Sequence, residues 1–210
     1  GDQLDESTAM GPMVRESDAK RVAEWIDEAV AGVRQSAFGY SGQKCSACSR
    51  AIVLDAVHDQ FLERLIESTR SLVVGDPADP GTDVGPVIDP SAAAKIREYI
   101  EIGKTEGKLE VALDVPPGLE AKIGKPVIGP CIFSGIRPEH RLAQEEIFGP
   151  VLAVIRVATF DEALRVANGS VYKLTGGVFS RRPAHLEAAR RDFRVGNLYL
   201  NRGCTGALVA

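Results

Sequence analysis

The amino-acid sequence predicts an α/β fold with a largely parallel sheet flanked by helices, and three observations lead there. Short apolar runs alternate along the chain with stretches of helical period. One run, residues 151–157, is apolar almost throughout and rich in Val and Ile, as suits a strand buried on both faces. The 210 residues, 44% of them hydrophobic, suffice for a sizeable core in one domain, alone or with an appendage.

The elements follow in order. A Gly/Pro/Asp turn region leads through Gly11-Pro12 into an amphipathic helix over residues 17–31, capped by Ser17, with Val22, Trp25, Ile26 and Ala29 at helical spacing as its apolar face. Residues 51–54 form a short strand. The helix after it carries Phe61, Leu62, Leu65, Ile66 and Leu72 and ends near Gly75. There the opening pattern recurs: Gly1-Asp2, Asp5, Thr8, Gly11-Pro12, Ser17, Ala19, Glu24 and Ile26 return at constant offset as Gly75-Asp76, Asp79, Thr82, Gly85-Pro86, Ser91, Ala93, Glu98 and Ile100. A second turn region and a helix capped by Ser91 follow from that. Two copies are too few for a solenoid, so a duplicated or spliced segment is the plainer reading. Strands over 108–113 and 126–133, separated by a Pro/Gly-rich turn region, precede the buried run at 151–157. A helix over 160–167, a strand over 176–180, a helix over 183–193 and a strand over 195–200 complete the alternation, and residues 203–207 read as a loop.

Composition excludes several classes of function. The chain carries 25 Lys+Arg against 29 Asp+Glu, a formal net charge of −4, with no long run of one sign. Nucleic acid and anionic membranes both call for a basic field, so neither is an expected partner. No apolar segment approaches the ~20 residues needed to cross a bilayer. The opening residues lack the basic and apolar regions of a signal peptide, so the expected location is the cytoplasm, or the mitochondrial matrix in a eukaryote. Four cysteines are far below the density of a disulfide scaffold and are expected to be reduced thiols.

Two stretches carry candidate chemistry. In Gly42-Gln43-Lys44-Cys45-Ser46-Ala47-Cys48, the Cys-x-x-Cys spacing reads as a redox pair, half of a metal site, or a nucleophile with a bystander. No metal is expected, because His58, His140 and His185 are scattered and Cys131 and Cys204 have no nearby partner. A thioredoxin-like pair would open a helix, whereas here a strand follows. A catalytic thiol and a buried structural cysteine remain open. Flanking glycines and Lys44 favour the first for Cys45, since they give access and a cation favours thiolate. Cys48 reads as structural. The second stretch is Gln144-Glu145-Glu146-Ile147-Phe148-Gly149-Pro150. Adjacent acids usually point in different directions, so they read either as a solvated pair or as a carboxylate and a ring at a sheet edge, where ligands bind in α/β folds.

Gly42-Gln43-Lys44-Cys45, Gly75-Asp76-Pro77 with Gly85-Pro86, and Glu146-Ile147-Phe148-Gly149-Pro150, in that order, resemble the catalytic domain of the aldehyde dehydrogenase superfamily. The resemblance covers residues 34–210, leaving 1–33 as a duplicated turn-helix segment resembling 75–107. Residues 36–50, residues 174–180 and Asn201-Arg202-Gly203-Cys204-Thr205-Gly206-Ala207-Leu208-Val209 resemble the 1-pyrroline-5-carboxylate dehydrogenase branch, which oxidises L-glutamate γ-semialdehyde in proline degradation. The resemblance implies Cys45 as nucleophile toward a small-molecule aldehyde and NAD as cofactor. It implies Glu146 and Phe148 at the nicotinamide–ribose end of NAD. It further implies Ser46, Gly206 and Ala207 as the anchor for the substrate carboxylate. The family's Rossmann-type nucleotide domain, with its general-base Glu and oxyanion Asn, is not recognisable in these residues, nor is the Pro-Phe-Gly-Gly segment expected after Val209. The expectation is a catalytic domain incomplete at its C-terminal end and inactive alone as a dehydrogenase. It would act as a homo-oligomer or with a separate nucleotide-binding domain. Two other readings stay open: a non-catalytic structural or interaction fragment, and a cofactor-independent thiol esterase.

Overall fold

The computed structural model describes residues 15–205. In chain order the elements are α1 (Glu16–Phe38), β1 (Arg50–Leu54), α2 (Asp55–Arg70), α3 (Pro90–Glu106), β2 (Lys108–Ala112), α4 (Leu119–Ile123), β3 (Cys131–Ser134), α5 (Arg141–Gln144), β4 (Val151–Val157), α6 (Phe160–Asn168), β5 (Thr175–Val178), α7 (Pro183–Asp192) and β6 (Asn197–Leu200). Four strands form a sheet in the order β1-β4-β3-β2, with β4 parallel to both β1 and β3 and only the edge strand β2 antiparallel. The strands β5 and β6 pair in parallel as a second, two-stranded sheet.

The near-continuous apolar run of β4 follows from burial on both sheet faces. Successive side chains of a strand point to opposite faces. Leu152 and Val154 enter one core layer with Ala51 and Val53 of β1, Ile132 of β3, and Ile26, Val30, Phe38, Phe61 and Leu65 of α1 and α2. Val151, Ala153, Ile155 and Val157 enter the other, with Phe133 of β3, Ala93, Ile96 and Tyr99 of α3, and Leu142 and Ile147. Helices thus cover the sheet on both sides, the α/β architecture expected from the sequence. Among the described residues no helix is long and apolar enough to cross a membrane.

Several boundaries differ from the sequence reading, each for a local reason. α1 begins after Arg15 with Ser17 inside its first turn, and continues past residue 31 because Ala37 and Phe38 extend its buried face. It stops where Tyr40, Ser41 and Gly42 adopt left-handed φ of 55°, 55° and 67°. The division between residues 33 and 34 lies inside this helix. α3 is capped by Asp89, whose side chain accepts from the Ala92 N–H (2.8 Å), with Pro90 rather than Ser91 opening the helix. The strand expected over 126–133 shrinks to β3, since Pro126 and Pro130 have no N–H to donate and Val127 makes only an isolated bridge to Pro86. β5 ends before Ser180, whose N–H goes to Asn201 Oδ1 (2.8 Å). β6 begins at Asn197 because the Gly196 N–H goes to the Lys173 carbonyl oxygen (2.8 Å). The short helix α4 lies in the region read as a Pro/Gly-rich turn, and α5 in a stretch to which the sequence reading gave no element. Of the first copy of the repeated pattern, residues 1–14 lie outside the described residues.

Candidate active site

Cys45 sits in the loop that joins α1 to β1. The Ala47 N–H donates to the Lys44 carbonyl oxygen (3.0 Å), making Cys45 and Ser46 the two central residues of a turn and leaving the Cys45 side chain exposed. Cys45 faces a cavity of about 670 Å³ whose walls also carry Lys44, Cys48, Glu146, Phe148 and Tyr172. Lys44, expected to attend the thiol, stacks its ammonium on the Tyr40 ring, 3.8 Å from the centroid.

The loop is held from below by groups that the sequence reading did not single out. Ser41 Oγ donates to the Gly85 carbonyl oxygen (2.9 Å). Gln43 makes a two-point clamp: its Nε2 donates to the Pro86 carbonyl oxygen (3.3 Å) and its Oε1 accepts from the Ile88 N–H (2.8 Å). The Gly85-Pro86 stretch therefore belongs beside the nucleophile loop. A primary amide offers both a donor and an acceptor, which is the signal at Gln43 that could have been read.

Glu146 and Phe148 line the same cavity from the stretch before β4. Ile147 between them is buried, so its two neighbours face outward together, Phe148 with 41% of its surface exposed and φ of 59°. Lys95 Nζ donates to the Glu146 carbonyl oxygen (2.7 Å), which fixes the backbone and leaves the carboxylate free of that contact. The neighbouring Glu145 turns the other way. Arg141 grips it with Nε and Nη2, both at 2.9 Å, and the Tyr99 hydroxyl donates to it. The guanidinium first, then the phenol, hold the Glu145 carboxyl down to about 2. The two stretches meet at Gly42, where an added Cβ would lie 2.2 Å from the Gly149 carbonyl oxygen.

Ser46 is half-buried beside the nucleophile, and its carbonyl oxygen accepts from Thr175 Oγ1 (3.5 Å) and from Cys204 Sγ (3.6 Å). Gly206 and Ala207 lie outside the described residues. Cys204, read from sequence as having no nearby partner, is brought by the fold to the residue that also holds Cys48: both backbone N–H groups donate to Ser36. Sequence distance hid a contact made through tertiary packing. Cys131 is buried, and burial pushes its thiol up to about 11. Among the described residues no three His, Cys, Asp or Glu side chains converge as a metal site would require.

Comparison with known proteins places this geometry in a family. The sequence profile of the Aldehyde dehydrogenase family matches residues 26–210. A 1-pyrroline-5-carboxylate dehydrogenase of Geobacillus sp. (strain WCH70) is 54% identical over 185 residues, covering 88% of this chain and 35% of that protein. Among solved structures, a 1-pyrroline-5-carboxylate dehydrogenase from Thermus with bound NAD superposes with a TM-score of 0.80 at 49% identity, over 88% of this chain and 34% of that one. Proline utilization A from Bdellovibrio bacteriovorus superposes with a TM-score of 0.83 at 47% identity, over 88% of this chain and 19% of its own length. The chain thus spans about a third of the length of the curated relatives it matches.

Proposed function

The chain belongs to the aldehyde dehydrogenase family, and from that premise we propose that residues 34–210 are the cysteine-bearing catalytic part of an NAD-dependent 1-pyrroline-5-carboxylate dehydrogenase. Such an enzyme oxidises L-glutamate γ-semialdehyde to L-glutamate in proline degradation. Residues 1–33 repeat the sequence pattern of 75–107, and the family match takes in their last part from residue 26. The observation that carries the reading is the exposed Cys45 in a cavity that Glu146 and Phe148 also line.

Each residue has a definite task. The Cys45 thiolate adds to the aldehyde carbonyl carbon, and after oxidation it holds the acyl group as a thioester until water releases it. The Cys45 N–H is the local donor for the oxygen on which negative charge develops. A free carboxylate at Glu146 accepts hydrogen bonds from ribose hydroxyls, and the Phe148 ring offers an apolar face to the nicotinamide, so this wall suits one end of NAD. Bound there, NAD supplies the hydride acceptor. The Ser46 hydroxyl with backbone N–H groups at Gly206 and Ala207 grips the substrate carboxylate. The approach of Cys204 to the Ser46 carbonyl supports this, because it brings the segment that leads into Gly206 beside the nucleophile turn.

The test is acylation of the folded chain by an activated ester. Cys45 is expected to take up one acyl group in a burst, and Cys45→Ala to abolish it without unfolding the chain. An intact fold with no acylation at Cys45 would leave the chain a structural fragment. Sustained, Cys45-dependent ester turnover unaffected by NAD would favour an esterase.

A further inference from the structure

Cys48 and Cys204 are far apart in sequence and neighbours in the fold. Both hang from one residue: the Cys48 N–H donates to the Ser36 carbonyl oxygen (2.9 Å) and the Cys204 N–H to Ser36 Oγ (3.1 Å). Their sulfurs point at backbone carbonyls of the same short loop, Cys48 Sγ at Arg50 (3.5 Å) and Cys204 Sγ at Ser46 (3.6 Å), and each perturbs the titration of the other. The two side chains line the same cavity as Cys45, Cys204 reaching it from the segment beyond β6. Neither thiol has a task in the aldehyde chemistry, which uses one sulfur. We propose that Cys48 and Cys204 form a redox modification site, in which a hydroperoxide converts the pair to a disulfide that ties the nucleophile loop to the segment after β6.

The chemistry balances with the hydroperoxide as oxidant. The Cys204 thiolate attacks the terminal peroxide oxygen and the O–O bond breaks. The other oxygen leaves with the proton that Cys204 gave up, as alcohol or water. Cys204 is then a sulfenic acid. The Cys48 sulfur attacks Cys204 Sγ, the S–S bond forms, the S–O bond breaks, and hydroxide departs with the Cys48 proton as water. Two thiols lose two electrons and two protons, and the peroxide is reduced.

The environments of the two thiols suit these unequal parts. Cys204 is half-buried, and the hydrogen bond from Cys48 holds its thiol down to about 7, which favours the attacking thiolate. Cys48 is raised, first by its hydrogen bond with Cys204 and then by burial. Oxidation of Cys204 removes the first of these causes, so the resolving step becomes easier once the first is complete.

The experiment uses the full chain carrying Cys45→Ser, treated with hydrogen peroxide. Trypsin cuts after Lys44, Arg50 and Arg202, giving peptides 45–50 and 203–210. Titration after denaturation is expected to lose two thiols, and mass mapping to find those two peptides bridged. The bridge should vanish on adding Cys48→Ser or Cys204→Ser. Its rate should rise about tenfold per pH unit up to about pH 7 and then level. An unchanged thiol count in the folded chain overturns the proposal. Should the Cys48→Ser chain fail to fold, the bridged peptide of the unsubstituted protein is fragmented between positions 45 and 48. A bond at Cys48 supports the proposal, and one at Cys45 overturns it.

Discussion

Cys45 and Cys131 carry the same thiol in opposite surroundings. Cys45 stands exposed on a turn, whereas Cys131 is 3% exposed with its thiol near 11. At pH 8 about one part in a thousand of Cys131 is thiolate, so limiting iodoacetamide with peptide mapping should label Cys45 at least ~100-fold faster. Comparable rates would contradict the burial. A second residue-scale prediction concerns Glu145, whose carboxyl is depressed from about 4.5 in the unfolded chain to about 2 by Arg141 and Tyr99. Its ionised form stabilises the fold above pH 4.5, and that contribution fades as pH falls toward 2. Thermal melts should therefore separate Glu145→Gln from the parent fully at pH 6–7, and progressively less below pH 4.5. A gap that stays constant down to pH 2 would mean that the ion pair does not stabilise the fold. Cys45 was legible in sequence because glycines and Lys44 announce a loop. The Cys204 partnership was not, since nothing local at residue 204 points to residue 48.

Among the elements, the decisive junction is Gly42, where the nucleophile loop and the Glu146–Phe148 wall touch through backbone. Its φ of 67° is the left-handed region, which costs an L side chain roughly 1 kcal/mol, and a Cβ would strike the Gly149 carbonyl oxygen. Overpacking of that kind adds about 1–3 kcal/mol, so Gly42→Ala should lower Tm by roughly 5–10 °C and blunt acylation of Cys45. Gly39→Ala, at φ −55° with open space around its Cβ, should leave Tm and acylation nearly unchanged. Equal losses in the two variants would show that helix termination, rather than contact between the walls, governs this region. Strand β4 was readable from sequence because burial on both faces leaves an unbroken apolar run. The end of α1 was not, because the left-handed trio that stops it begins with Tyr40 and Ser41, side chains that rarely adopt that conformation.

At the scale of the molecule, the α/β class followed from the alternation of runs, while the two-sheet arrangement did not. β5 and β6 are short, half-exposed and paired only with each other, so no apolar run marks which sheet they join. The cavity between the nucleophile loop and this second sheet opens past Val171, Tyr172 and Leu174, large apolar side chains left exposed, Val171 at 84%. The proposed role of Glu146 and Phe148 covers one end of a dinucleotide, but pyrophosphate needs backbone N–H groups gathered at a glycine-rich turn from strand to helix. The described junctions lack one. β1 runs directly into α2, β4 reaches α6 through Ala158-Thr159, and β5 reaches α7 through residues 179–182, all without glycine. β3 reaches α5 past Gly135 alone, and α5 is only four residues long; β2 reaches α4 past Gly118 alone, behind two prolines, and α4 is only five residues long. The chain by itself should therefore bind NAD weakly, with a Kd above about 0.1 mM, since the contacts proposed at Glu146 and Phe148 would leave the phosphates and adenosine without partners. Calorimetric titration of the folded chain decides this. A micromolar Kd would reveal a phosphate site in these 210 residues, and loss of that affinity in Glu146→Ala would place it on the same wall.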